Sequence, residues 1–341
     1  MAEQDPHEPV RPHEPQDAHA TSGGEGGGHP AAHFTAVFVD EVGVRITYYG
    51  WTVQQPKAVV QISHGVGEHG ARYASLAADL NAAGYSVYAA DQRGHGATGL
   101  AQHGGDRSKL GRLGPGGLRA TVDDIRQLGV RIAREHPGVP LVLLGHSWGS
   151  LMVQKLVNSP ALAHYAGIVL SGTAYRMPGS MDGGDLTRKH RPVAVPGQSP
   201  VVGNGFEWLS RDVAAQERAA GDELMFPAEV LKLFGLLDAL RLFGRPAKRL
   251  DVDVPLLILV GSDDTLGGRR SAEKLRDAYR TRSKLTDVTL TVYDDARHEI
   301  FNETNRLDVV ADLVAWLDSR VAVAPASGDA PDLPTTPGAP A

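Results

Sequence analysis

The chain has 341 residues, 42% of them apolar and 22% charged, with a formal net charge of −6 and no cysteine. Such a composition is ordinary for a globular enzyme. It excludes disulfides, thiolate metal sites and a cysteine nucleophile, and it carries no electrostatic footprint for nucleic acid.

Residues 1–33 are rich in Pro, Gly, Glu and His and repeat Pro6-His-Glu-Pro9 as Pro12-His-Glu-Pro15. A stretch like this cannot bury a core, so a disordered tail is expected. Its histidines, His7, His13, His19, His29 and His33, read as part of a solvated tail rather than a metal site. The first residues lack the basic region and apolar core of a signal peptide. No apolar run reaches transmembrane length. A cytoplasmic protein is expected.

From residue 34 the pattern alternates between strand and helix. Residues 36–39 and 44–49 flank Gly43 as a hairpin. Residues 59–63 form a short apolar strand, followed by a helix over 72–83 that Gly84 ends as a left-handed cap. Residues 86–90 read as the next strand and end at Asp91; Asp91, Arg93 and His95 beyond it read as a loop-bracing network. Residues 121–136 form a helix with Val122, Ile125, Leu128 and Ile132 on one face, stopped by Pro137-Gly138. Further strands are expected at 141–144, 167–170, 256–260 and 288–293, with a helix over 150–157. This alternation predicts an α/β fold with a mostly parallel central sheet and helices on both faces.

Residues 173–251 interrupt the alternation. A Gly- and Pro-rich stretch, 177–205, precedes a helix expected over 228–243, with Val230, Leu233, Phe234, Leu237 and Leu240 at helical spacing. An insertion between two strands that end beside a site covers that site, so 173–251 is expected to be a cap or lid. The core then comprises 34–172 and 252–320. Residues 321–341, rich in Ala and Pro, are expected to be a second disordered tail.

The stretch that carries chemistry is Gly145-His-Ser-Trp-Gly149, a G-x-S-x-G sequence between the strand at 141–144 and the following helix. A serine on a sharp strand-to-helix turn has its hydroxyl pushed out at the top of the sheet. An activated serine needs a base, and the base needs an orienting acid. On such an elbow they follow in the order acid, then base. Of the 14 histidines only His298 lies beyond the candidate acids Asp263 and Asp264. All of these sit just past strand ends, where open α/β sheets place ligands. An oxyanion hole would draw on the N–H of Trp148 and on the loop His64-Gly-Val-Gly67, with Val66 as donor. His64 reads as a structural residue that ties that loop down.

Several stretches together resemble the monoacylglycerol lipase and lysophospholipase branch of the α/β-hydrolases, grouped with serine aminopeptidase S33-type hydrolases. They are His64-Gly-Val-Gly-Glu-His-Gly-Ala-Arg-Tyr73, Asp91-Gln-Arg-Gly-His-Gly96, Gly145-His-Ser-Trp-Gly149 and Gly261-Ser-Asp-Asp264, with Leu170-Ser-Gly-Thr173 and Trp208-Leu-Ser-Arg-Asp212 as markers of a bacterial subgroup. The resemblance runs over about residues 34–320. It implies an α/β-hydrolase fold, a catalytic Ser147, Asp264 and His298, and Asp264 rather than Asp263 as the acid. The family usually has Met at position 148 and Gly at 150, where this chain has Trp and Ser.

The activity expected is hydrolysis of a carboxylic ester of a lipid or other apolar substrate through an acyl-enzyme, with no cofactor and no metal. Phe234 and Leu237, with Leu240 as a further candidate, are expected to line an acyl tunnel or touch a lipid surface. The alternatives are a hydrolase of small non-lipid esters or peptide amides, and a non-catalytic hydrolase-like binding protein; loss of any of the three site residues would favour the latter.

Overall fold

Short β-branched and leucine-rich runs bounded by glycine or proline become strands, and each longer periodic stretch becomes a helix on one face of them. The structure, a computed structural model, describes residues 31–182, 186–190, 203–227 and 230–321. The tail up to Pro30, with His7, His13, His19 and His29, and the tail beyond Val321 lie outside the described residues, as do parts of the 173–251 insertion.

The elements in chain order are β1 (Phe34–Val39), β2 (Arg45–Trp51), β3 (Val59–Ser63), α1 (Ala74–Ala82), β4 (Ser86–Ala90), α2 (Gly96–Gln102), α3 (Gly117–Glu135), β5 (Leu141–His146), α4 (Trp148–Val157), β6 (Gly167–Ser171), α5 (Val213–Gly221), α6 (Val230–Arg241), β7 (Leu256–Gly261), α7 (Gly268–Thr281), β8 (Val288–Tyr293) and α8 (Arg306–Arg320). They build one eight-stranded sheet in the order β1-β2-β4-β3-β5-β6-β7-β8. β1 and β2 are antiparallel to their neighbours, and every pairing from β4 to β8 is parallel.

The parallel strands are buried on both faces, which is why they read as continuous apolar runs. Successive side chains point to opposite faces. Leu141 and Leu143 of β5 join one core layer with Ile125, Leu128 and Ile132 of α3. Val142 and Leu144 join the other layer with Leu80 of α1 and Leu313 and Trp316 of α8. β7 divides likewise, Leu256 and Ile258 to the first layer, Leu257 and Leu259 to the second.

Strand order reverses direction at β3, which has β4 on one side and β5 on the other. The loops after β3 and β5 therefore leave the sheet toward opposite faces, and a crevice opens between them. That crevice is where the loop of Val66 meets the turn of Ser147.

Several elements differ from the sequence expectation. α3 starts at Gly117, four residues early, and α4 starts at Trp148. α1 begins only at Ala74, after a 3₁₀ turn over Gly70–Tyr73. The insertion helix does not run unbroken to 243. Gly235 has φ 74° and ψ 172°, a conformation open essentially only to glycine, and it splits α6 in two. The helical spacing of Phe234, Leu237 and Leu240 therefore does not put them on one face.

Candidate active site

Ser147 stands on the turn between β5 and α4 with φ 52° and ψ −126°, a costly backbone for a residue with a side chain. Its flanking glycines are there for space. A Cβ at Gly145 would come 2.7 Å from Ser150 Cα, and one at Gly149 would come 2.1 Å from Ser63 O. The turn is pinned by the Ser147 N–H, which donates to Ser171 O at 3.0 Å. Ser150, where the resembled family has glycine, donates from Oγ to Ser147 O at 2.6 Å and thereby holds the elbow.

The loop after β3 presses on the same serine. A Cβ at Gly65 would lie 2.9 Å from Ser147 Cβ. His64 fixes this loop: its Nε2 accepts from the Gln92 N–H at 2.9 Å, so its Nδ1 carries the proton and donates to Gly65 O at 2.7 Å. Burial holds its pKa well below the usual value, so the ring is neutral. Glu68 Oε1 accepts from the Gly65 N–H at 2.6 Å. Trp148 opens α4, so its N–H has no intrahelical acceptor.

Asp91, Arg93 and His95 brace loops. Asp91 accepts from the N–H groups of Gly70 and Ala97 and from the Tyr49 hydroxyl. Arg93 is buried between Asp40 and Asp124.

His298 follows β8. Its Nδ1 donates to Asp264 Oδ1 at 2.8 Å, and both side chains are buried. The same Asp264 oxygen accepts from the Leu266 N–H at 2.8 Å. Asp263 points elsewhere and pairs with Lys189 of the insertion. Burial disfavours a charged His298, but the adjacent Asp264 outweighs it, and the pKa is raised above the usual imidazole value. His298 Nε2 is buried without a hydrogen-bond partner among the described residues, Ser147 Oγ included. Such a contact often closes only when substrate is present.

Val66, Ser147 and Trp148 share one cavity of about 210 Å³. Apart from Asp182, its remaining walls are apolar and come from both sides: Leu151 of α4 and Leu266 after β7, against Val230, Leu236, Leu240 and Phe243 of the insertion. A cavity with so largely apolar a lining accepts an alkyl chain. Of the insertion residues expected at an acyl tunnel or a lipid surface, Leu240 is among the lining residues, whereas Phe234 and Leu237 are not. Leu237 is 70% exposed and faces solvent. Phe234 stacks on Trp148 with ring centroids 4.9 Å apart. Leu236 and Leu240 line the cavity at its mouth and remain 63% and 53% exposed.

Sequence reasoning did not reach two further features. Arg72 bonds Glu68 at 2.7 Å and Glu299 at 2.8 and 3.0 Å, tying the loop after β3 to the loop of His298. The Glu68 and Arg72 half has i,i+4 spacing, but Glu68 lies in the loop before the 3₁₀ turn, where that spacing carries no helical signal; the Glu299 half is a long-range contact with no local signal. The second is Trp208, whose indole lies on the His298 ring. Among the described residues, no three His, Asp or Glu side chains are grouped to hold a metal ion, and no helix is long and apolar enough to cross a membrane.

A mostly parallel eight-stranded sheet with a strained serine turn at its switch point defines an α/β-hydrolase. Residues 54–305 match the family described as serine aminopeptidase, S33, and the chain belongs to that family. It is 32% identical over 289 residues to a monoacylglycerol lipase of Mycolicibacterium smegmatis, covering 82% of this chain and 95% of that one. It is 29% identical to the human monoglyceride lipase over 285 residues, covering 79% and 85%. Among solved structures, the monoacylglycerol lipase of Paleococcus ferrophilus superposes with a TM-score of 0.59 at 25% identity, covering 81% of this chain and 99% of that one. A carboxyl esterase from Bacillus coagulans gives 0.67 at 22% identity, covering 84% and 98%, and so shares the fold.

Proposed function

We propose that this protein is a serine hydrolase of carboxylic esters with an apolar acyl group, of monoacylglycerol lipase type. The observation that carries the reading is the buried Asp264–His298 pair on the same side of the sheet as Ser147, whose turn opens into an apolar cavity. The lipase relatives support the substrate class.

In this reading Ser147 Oγ attacks the ester carbonyl as His298 Nε2 takes its proton. The N–H groups of Val66 and Trp148 hold the oxyanion. Asp264 keeps the proton on Nδ1, so that Nε2 is the base, and stabilises the imidazolium. The imidazolium then gives its proton to the leaving alcohol. Water repeats the sequence on the acyl-enzyme and frees the acid. The alkyl chain lies along Leu151, Leu236, Leu240 and Phe243. Burying each methylene there contributes about 0.8 kcal/mol.

The insertion, 173–251, acts as a cap over the serine. Leu236, Leu240 and Phe243 at the cavity and Leu237 in the same segment are all exposed. An apolar patch beside a cavity mouth suits transient contact with a lipid surface. Cosedimentation with monoacylglycerol-containing vesicles, compared between wild type and Leu237→Ser, tests that contact. A cytoplasmic location is part of the proposal and is tested by cell fractionation.

The deciding experiment is turnover by the purified protein of monoacylglycerols, lysolipids and short aryl esters, with fluorophosphonate labelling. Single labelling, lost in Ser147→Ala, and preference for acyl chains over acetate are expected. Labelling that survives in Ser147→Ala sinks the proposal.

A further inference from the structure

The edge of the His298 ring is held by Asp264, but its face is held by something else. The indole of Trp208 lies on it with ring centroids 4.9 Å apart and planes 28° from parallel. Trp208 stands on a turn of the insertion, not on a helix or strand, and yet its position is tightly specified. The next residue, Leu209, accepts from the Glu299 N–H at 2.6 Å. Ser210 Oγ donates to Asn302 O at 2.8 Å. Arg211 donates from its N–H and its Nε to Glu303 at 3.1 and 3.0 Å. From the other side, Arg297 Nη1 donates to Glu207 O at 2.5 Å and to Ser210 O at 3.2 Å. The stretch around Trp208 is thus zipped along the whole loop that carries His298. Trp208 is 8% exposed, and it packs with Leu209 and with Leu266, whose N–H bonds Asp264.

We propose that Trp208 is a positioning residue for His298: its indole holds the imidazole against Asp264 and favours the imidazolium that forms when the ring takes the Ser147 proton. The inference rests on the reading of His298 as the general base. The face of an indole carries the negative part of its quadrupole, so it attracts a cation within about 6 Å more strongly than a neutral ring. The His298 ring is neutral before attack and cationic during it. A contact that strengthens as the proton moves lowers the barrier, whereas one that is equal in both states does not.

Other charged or titratable groups face the same ring. Asp264 lies across Nδ1, Glu299 adjoins it in the chain, and Glu68 reaches it from the loop after β3. Arg72 is bonded to both glutamates. His146, 4.9 Å away at the end of β5, is kept neutral by burial, which pushes its pKa down. Substituting Trp208 removes none of these charged groups, and the water it admits to the ring raises the pKa of His298 rather than lowering it, so a downward shift reports the loss of the indole face.

The test uses full-length protein with Trp208→Phe, which keeps a ring, and Trp208→Leu and Trp208→Met, which do not. Two readouts are taken. One is kcat and KM on a short aryl ester across pH 5 to 9. The other is the NMR titration of His298 in a Ser147→Ala background, which needs no activity. In the ringless variants kcat should fall by about two- to thirtyfold with KM little changed, and His298 should titrate about 0.3 to 1.5 pH units lower. Trp208→Phe should fall between them and wild type. A ringless variant whose His298 titrates at the wild-type pH overturns the proposal even if kcat falls, because the effect is then merely structural. So does a Trp208→Phe that behaves like Trp208→Leu. If one ringless variant fails to fold, the other decides. If Ser147→Ala leaves esterase activity intact, the general-base reading fails separately, and the NMR titration still decides the indole contact.

Discussion

Trp148 and Phe234 stack with ring centroids 4.9 Å apart and planes 28° from parallel. The residue after the candidate nucleophile therefore packs directly on the insertion. The other side of the contact is His95, whose ring lies 5.2 Å from Trp148. A methionine at 148 makes no such stack, so the tryptophan ties the elbow to the insertion above it. Phe234→Ala should lower stability by about 2 kcal/mol, since Phe234 is only half-buried and loses a stacked partner as well as area. Thermal melts and urea midpoints measure it. An unchanged midpoint would mean that the stack contributes nothing.

The walls of the cavity separate residues that the helical spacing groups together. Leu240→Ser should damage turnover of long-chain esters far more than of acetate esters, because it removes apolar contact along the chain. Leu237→Ser should leave the chain-length profile unchanged, since that side chain faces solvent. The check is kcat/KM for C2 to C16 esters, with monomeric substrate so that surface binding does not enter. A profile altered equally by both variants would contradict this lining.

Asp264 and Asp263 are neighbours with different partners, so they should respond differently. Asp264→Asn presents the wrong partner to Nδ1 and should cost several orders of magnitude in kcat. Asp263→Asn breaks a surface contact to Lys189 and should cost tenfold or less. Ser147→Ala should cost on the order of 10⁴- to 10⁶-fold. Initial rates at pH 8 rank the three variants.

Activity should rise with pH through one ionisation. The base must be neutral, and Asp264 raises the pKa of His298 above the usual imidazole value. Activity is therefore lost as pH falls through a point on the alkaline side of about 6.5. An ascending limb well below that, on a substrate for which chemistry limits the rate, would be inconsistent with the buried Asp264–His298 pair.

Acid should also destabilise the fold, and here the sign is set by His95. Burial lowers its pKa to about 4, so the folded ring resists protonation while the unfolded ring charges near 6.5. Its contribution to stability is present above 6.5 and is lost as pH falls toward 4. The loss amounts to about 3 kcal/mol across that window. His95→Phe keeps a ring beside Trp148 and removes the titration. It should lose less stability than wild type between pH 7 and pH 4.5, as urea midpoints at the two pH values would show.

Much of this protein is determined by local sequence. The strands β5 and β7 are legible because a strand buried on both faces must be apolar throughout, and glycine or proline marks its ends. Ser147 is legible because a turn that close to Ser63 and Ser150 requires glycines at 145 and 149. His298 stands out by chain order. Tertiary structure decided the rest. Which of two adjacent aspartates meets the imidazole depends on how the loop after β7 leaves the sheet, a direction that no spacing encodes. The break in α6 depends on Gly235 adopting φ 74°, which glycine permits but does not compel, and beyond it Leu236 and Leu240 reach the cavity while Leu237 does not. The stack of Trp208 on His298 joins residues far apart in the chain, and only the zipped segments between 207–211 and 297–303 bring the two rings together.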